Sequence, residues 1–163
     1  CLTALAFAQL ALEAGLPAGA LNVVPGLGEE AGAALAVHRG VAHLSFTGSV
    51  AVGRLVQAAA ARNTIPVTLE LGGKSPQLVF ADADLDAALP YLVNAGIQNA
   101  GQTCSAASRI LVQRERFDEV VARLAERYRA LRVGLALADP DVGPLVSARQ
   151  RDSVQAYIDG LRA

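Results

Sequence analysis

Residues 41–71 read VAHLSFTGSVAVGRLVQAAAARNTIPVTLEL, and this stretch decides the fold class. Val41 to Phe46 is a short apolar run of strand character. Thr47-Gly48-Ser49 is a turn whose serine can cap a helix. Val50 to about Ala61 has helical spacing, with Val52, Leu55 and Val56 on its inner face. Pro66 to Leu71 is again a strand. Just upstream, Leu21-Asn-Val-Val-Pro25 is another buried-strand candidate, broken by Gly26-Leu-Gly28 before a helix from Glu29 to Val37. Three strands alternating with two helices predict a parallel sheet with right-handed crossovers.

The pattern continues on both sides. Leu2, Leu5, Ala6, Gln9 and Leu12 follow helical spacing, and Gly15 falls where a left-handed residue ends a helix. After Leu71 the texture changes. Gly72-Gly73-Lys74-Ser75-Pro76 is irregular, and Gln77 to Ala81 is a strand. Asp82 or Asp84 caps a helix carrying Leu85, Ala88, Leu89, Leu92 and Val93. Pro90 lies inside that helix and predicts a kink or a restart. Asn99 to Ser105 is small and polar, and Arg109 to Gln113 is a strand. Phe117, Val120, Val121, Leu124, Tyr128 and Leu131 mark an amphipathic helix that Gly134 ends. A loop from Ala136 to Pro144 precedes a last helix, Val146 to Leu161.

Composition limits the function classes. The chain has 163 residues, 53% hydrophobic and 18% charged. That is about one domain by length, far from disorder, and large enough to bury roughly 69% of its unfolded surface. Fourteen basic against fifteen acidic residues leave a net charge of −1, which predicts no nucleic-acid partner and no anionic membrane partner. No apolar run reaches the ~20 residues of a bilayer span. Two cysteines, Cys1 and Cys104, point to a reducing compartment rather than a disulfide scaffold. The chain contains no methionine, and both ends read as cuts through a longer protein.

Three features carry candidate chemistry. Cys104 lies among Gly, Ser and Ala, where a thiolate nucleophile has room; the alternative is an inert buried thiol. Glu70 follows an apolar run at a strand end. It is either a base of raised pKa or a solvated residue placed outward, with Thr68, by simple alternation. The turns Gly26-Leu-Gly28 with Gly32, and Thr47-Gly48-Ser49 with Gly53, both follow strands and open helices. Phosphate sites have this layout, though tight turns need glycine anyway. Lys74, the only lysine, reads as an ion-pair partner rather than a Schiff-base former. His38 and His43 are surface or turn residues without zinc spacing, and Asp82, Asp84 and Asp86 are cap residues rather than a calcium loop.

Five ordered segments resemble the NAD(P)-dependent aldehyde dehydrogenase superfamily. Leu16-Pro-Ala-Gly-Ala-Leu-Asn-Val-Val-Pro-Gly26 is similar to its GLPxGxxNxVxG segment. Phe46-Thr-Gly-Ser49 with Gly53 is similar to FTGSxxxG. Glu70-Leu-Gly-Gly-Lys-Ser-Pro76 resembles the glutamate signature, Gly101-Gln-Thr-Cys104 through Arg109 the cysteine signature, and Gly143-Pro144-Leu145 a later GPL segment. The separation of Glu70 and Cys104 by 34 positions is also the family's.

The resemblance implies an α/β fold of aldehyde dehydrogenase type. Residues 1–71 would be the C-terminal part of a Rossmann-like cofactor domain, and residues 72–163 the N-terminal part of the catalytic domain. It implies oxidation of an aldehyde to a carboxylic acid with NAD or NADP. Cys104 would form a thiohemiacetal and then a thioester, and its backbone N–H would be one oxyanion donor. Glu70 would activate water. Ser49, in the turn of Gly48 and Gly53, would hold the pyrophosphate, Val52 would flank the adenine, and Gly28 would line the adenosine side. Leu71 and Gly72 would lie near the nicotinamide. It further implies a cytoplasmic parent, a homodimer or homotetramer, longer than this chain. The parent would supply an oxyanion asparagine, two ribose-binding segments and the oligomerisation strands. A CoA-acylating relative and a non-catalytic structural relative are the alternatives. The presence of Glu70 argues against the first, and Cys104 with Glu70 against the second.

Overall fold

The computed structural model describes residues 1–162. The chain divides into two compact units, Cys1–Leu71 and Gly72–Ala163.

The first unit opens with α1 (Leu2–Glu13), an Ala/Leu-rich helix with no buried residue. It ends as the sequence predicts. Gly15 has φ +94°, its N–H bonds Leu12 C=O at 3.0 Å, and the Leu16 N–H bonds Ala11 C=O at 3.0 Å. This is the paired geometry that satisfies a helix's last carbonyls. The helix expected from Glu29 is present, but its first turn, Gly28–Gly32, is a wide π-type turn leading into α2 (Ala33–Ala36). β1 (Leu44–Gly48) and β2 (Val67–Leu71) pair in parallel, Leu44 opposite Val67 through Gly48 opposite Leu71. α3 (Val50–Ala61) lies between them in sequence.

Three expectations for this unit are corrected. Residues 21–25 form no strand, because no described segment offers them a ladder partner; Val24 is exposed and Pro25 has no N–H to give. β1 starts three residues late, since the Val41 N–H is taken by His38 C=O in a turn. The inner face of α3 is Gly53, Val56, Ala59 and Ala60, while Val52 and Leu55 are exposed. The helix turns its side-chain-free position toward β2, so the stripe shifts by one residue. The resulting core is small: Ala36, Leu44 and Ala60 are buried, with Val41, Val56, Ala59, Ile65 and Val67 packed around them.

The second unit has its own parallel pair, β3 (Pro76–Val79) and β4 (Arg109–Val112), with Pro76 opposite Arg109. α4 (Leu85–Ile97) begins at Asp84, whose Oδ1 accepts from the N–H groups of Asp86 and Ala87 at 3.0 and 3.2 Å. Pro90 neither ends nor restarts it. Pro90 itself is exposed, while Leu85, Leu89, Leu92 and Val93 are buried. The lost hydrogen bond falls on the outer face, and packing on the inner face holds the helix through it. α5 (Phe117–Arg129) contributes Val120 and Leu124 to the same core, with Val79 beneath. Arg123 on α5 hydrogen-bonds Asp86 and pairs with Glu119 at 3.7 Å, and the Asp86 carboxylate raises the guanidinium pKa above its ordinary value.

α5 stops at Arg129, before Gly134, because Asp141 takes the following chain. Its Oδ2 accepts from the Arg132 N–H at 2.8 Å and Arg132 Nε at 3.2 Å, and Val133 bridges Val142. A short 3₁₀ turn, Ala136–Ala138, sits inside the expected loop. α6 (Ala148–Arg162) starts just after Ser147, whose Oγ accepts from the Gln150 N–H at 3.2 Å. Among the described residues no helix is long and apolar enough to cross a membrane.

Leu2, Phe7 and Leu10 on α1, Phe80 after β3 and Tyr157 on α6 are each more than 60% exposed.

Candidate active site

In the first unit, the matched ends of β1 and β2 gather most of the residues singled out in the sequence. Thr47 stands opposite Glu70 and Gly48 opposite Leu71. Ligands of open parallel α/β sheets bind at this carboxyl end of the strands. Ser49 turns the chain from β1 into α3. Its Oγ accepts from the Val52 N–H at 3.2 Å and its C=O from the Gly53 N–H at 2.9 Å. The N–H groups of Val50 and Ala51 have no intrahelical acceptor, as in any first turn, and suit an anion. Val52 is exposed beside them.

The glycines have separable roles. A Cβ on Gly53 would stand 2.7 Å from Leu71 Cδ2, so Gly53 is the contact that seats α3 on β2. A Cβ on Gly48 would stand 2.6 Å from the Phe46 ring. A Cβ on Gly26 would stand 2.7 Å from the Ala31 Cβ, whereas Gly28, Gly32 and Gly72 have open space. Gly26 is thus required by packing, and Gly28 and Gly72 leave bare backbone. Glu70 follows strand alternation: Val67, Leu69 and Leu71 are half-buried, and Thr68 and Glu70 are exposed. Thr68 meets His43 Nε2 at 3.1 Å, and His38 Nδ1 accepts from the Gly40 N–H at 3.0 Å. Both histidines are exposed turn or strand-end residues, as expected.

In the second unit, Cys104 is an exposed free thiol, not a buried one. Its N–H has no protein acceptor among the described residues. The segment 72–75 lies alongside. A Cβ on Gly73 would be 3.6 Å from the Cys104 carbonyl, and Arg109 Nε donates to Lys74 C=O at 2.9 Å. The loop is therefore tied to the segment that continues from Glu70 in sequence. Lys74 is not an ion-pair partner: its Nζ donates to Gly73 C=O at 3.0 Å, and no described carboxylate pairs with it. Among the described residues no cluster of His, Cys, Asp or Glu is placed to hold a metal.

The profile of the Aldehyde dehydrogenase family matches residues 1–163. The chain belongs to the aldehyde dehydrogenase family. It is 50% identical over 164 residues to a betaine aldehyde dehydrogenase of Cereibacter sphaeroides, covering 99% of this chain and 34% of that protein. It resembles a solved structure from Burkholderia cenocepacia, assigned as an aldehyde dehydrogenase, at 60% identity and a TM-score of 0.97, covering 99% of this chain and 34% of the other. A betaine aldehyde dehydrogenase of Staphylococcus aureus, crystallised in complex with NAD+, superposes at 37% identity and a TM-score of 0.92, covering 96% and 31%. The chain spans about a third of the length of these relatives. The expected aldehyde dehydrogenase type of α/β fold, with small parallel sheets flanked by helices, is the one present.

Two residues of this aldehyde dehydrogenase chain have roles that sequence pattern does not indicate. Arg109, at the end of the cysteine motif and the start of β4, holds the backbone before β3 through its guanidinium. Gln102, within the same motif, reaches Val146, 44 positions away, with its side chain at 2.9 Å. Neither contact has a periodic signal; each follows from loops meeting in three dimensions.

Proposed function

We propose that this chain carries the cofactor turn, the base and the nucleophile of an enzyme that oxidises an aldehyde to a carboxylic acid with NAD+ or NADP+, the NAD+ complex of the Staphylococcus aureus relative favouring NAD+. The observation that carries the reading is Cys104: an exposed free thiol whose own N–H is open, on a loop tied to the segment after Glu70. Residues 1–71 serve as part of the cofactor domain and residues 72–163 as part of the catalytic domain.

Ser49 with the first N–H groups of α3 would hold the pyrophosphate, Gly48 and Gly53 shape that turn, and Val52 would flank the adenine. Gly28 would line the adenosine side, and the Leu71 and Gly72 backbone would border the nicotinamide. The bare backbone at Gly28 and Gly72 and the unsatisfied first turn of α3 fit such a group. When bound, NAD+ or NADP+ would supply the acceptor for a hydride. The Cys104 thiolate attacks the aldehyde carbon, forming a C–S bond and an oxyanion that the Cys104 N–H stabilises. Departure of hydride leaves a thioester on Cys104. Glu70 takes a proton from water, the oxygen attacks the acyl carbon, and the C–S bond breaks to return the thiolate and release the acid.

The complete protein is proposed to be cytoplasmic, to act on a small aldehyde and to assemble as a homodimer or homotetramer. The test is aldehyde-dependent NADH formation by the complete polypeptide, with and without CoA. Acid formation without CoA is expected. A strict requirement for CoA would assign the acyl-transferring reaction instead, and no turnover with either would leave a structural relative.

A further inference from the structure

The backbone leading to Cys104 is unusual. Asn99, Ala100 and Gly101 are all left-handed, with φ of +50°, +56° and +77°. Only glycine adopts this region freely; a Cβ crowds the backbone there. A run of this kind persists only where its surroundings hold it. The holding contacts converge on one side chain. Gln102 Nε2 donates to Asn99 C=O at 2.9 Å, and Gln102 Oε1 accepts from the Val146 N–H at 2.9 Å. Asn99 Nδ2 closes the ring on Gln102 C=O at 3.2 Å, and the Gln102 N–H adds a bond to Asn99 C=O at 3.1 Å. Val146 follows Gly143-Pro144-Leu145, a segment with no other assigned part in the chemistry.

We propose that Gln102 is a positioning residue: its carboxamide clamps the left-handed turn 99–101 to Val146 and so aims the Cys104 thiol and N–H. This rests on Cys104 being the nucleophile. Both ends of the amide are used, one as donor and one as acceptor, two residues before Cys104. Without the clamp, the turn keeps only the Gln102 N–H and Asn99 Nδ2 bonds across its base and loses its tie to Val146, so the left-handed Ala100 is less firmly held and the loop relaxes toward ordinary backbone. The geometry of an attacking atom is sensitive to displacements of about 1 Å, which cost up to about a hundredfold in rate.

The experiment uses the complete polypeptide and two readouts, steady-state kinetics and the pH profile of Cys104 alkylation by iodoacetamide. Gln102→Ala is expected to lower kcat roughly ten- to a hundredfold, with KM for NAD+ nearly unchanged, and to alter the alkylation profile. Gln102→Glu keeps the acceptor for Val146 but loses the donor to Asn99, and should fall between. The discriminating variant is Ala100→Gly in the Gln102→Ala background. Glycine needs no clamp to stay left-handed, so it should restore part of both kcat and alkylation. Wild-type kcat and alkylation in Gln102→Ala would overturn the proposal, as would absence of rescue by Ala100→Gly. Cys104→Ala, run alongside, reports separately on the nucleophile. Turnover surviving in that variant sinks the catalytic reading, whereas the alkylation profile of Gln102→Ala still tests the clamp.

Discussion

Gly53 on α3 faces Leu71 on β2 so closely that a Cβ on the glycine would stand 2.7 Å from the leucine's Cδ2 and 3.2 Å from its Cδ1. Leu71 immediately follows Glu70, so this contact sets where the proposed base lies relative to the Ser49 turn.

Gly53→Ala is therefore expected to be mildly destabilising, because the atoms in the way are the methyl ends of the half-buried Leu71 side chain, which swing aside at small cost. Overpacking at the low end of about 1–3 kcal/mol is offset by up to about 1 kcal/mol of improved helix propensity. In a Leu71→Ala background the clash is gone, and the same substitution should become stabilising. Urea denaturation of the four proteins of this double-mutant cycle checks the sign reversal.

Cys104→Ala in the complete polypeptide should abolish aldehyde oxidation while leaving NAD+ binding nearly intact. Cys1 is exposed and makes no side-chain bond at the start of α1, so Cys1→Ser should change neither. Measured turnover above a tenth of wild type in the Cys104 variant would remove it from the mechanism.

Glu70→Gln should slow thioester hydrolysis more than hydride transfer. The strand alternation that leaves Glu70 exposed gives it access to water, and hydride departure needs no base. Rapid mixing should show a burst of NADH and then slow turnover. Equal loss of burst and steady state would assign Glu70 to activating Cys104.

Asp141 carries a pH signature. Hydrogen bonds from the Arg132 backbone N–H, and then from its side chain, hold the Asp141 carboxyl below its ordinary pKa. A depressed folded pKa stabilises above the unfolded value of about 3.9 and loses that contribution as pH falls through the folded value. The clamp that ends α5 should thus persist into the ordinary aspartate range and open only in stronger acid. The amide chemical shift of Arg132, followed from pH 6 downward, should show its midpoint below that of an unperturbed aspartate, and Asp141→Asn should abolish that transition.

Residues 1–163 expressed alone should associate or form a loosely packed state without turnover. Leu2, Phe7 and Leu10 on one helix and Tyr157 and Leu161 on another are each more than 60% exposed, and exposed apolar patches of this kind promote association. Light scattering and a thermal melt decide it. A monodisperse, cooperatively melting protein that binds NAD+ and oxidises aldehyde would refute the expectation.

Local rules account for what was legible in the chain. The Ser49 cap, the Asp84 cap and the left-handed Gly15 each depend on residues within four positions, so their side-chain types specify them. The outward face of Thr68 and Glu70 follows from strand period alone, and the order of five motifs marks Cys104 and Glu70 as the candidate nucleophile and base.

What local rules missed has a common cause in distance along the chain. Residues 21–25 have the composition of a strand but not the partner that makes one. Pro90 stands in a helix that local propensity would break, because Leu85, Leu89, Leu92 and Val93 bury the opposite face against Val79, Val120 and Leu124. Lys74 turns to its neighbour's carbonyl instead of an acid. The stripe of α3 shifts by one residue because Gly53 meets Leu71, and Gln102 finds its partner 44 residues away. A hydrogen-bond donor or a missing Cβ is written in the sequence, but which group it meets is set only when segments far apart in the chain are packed together.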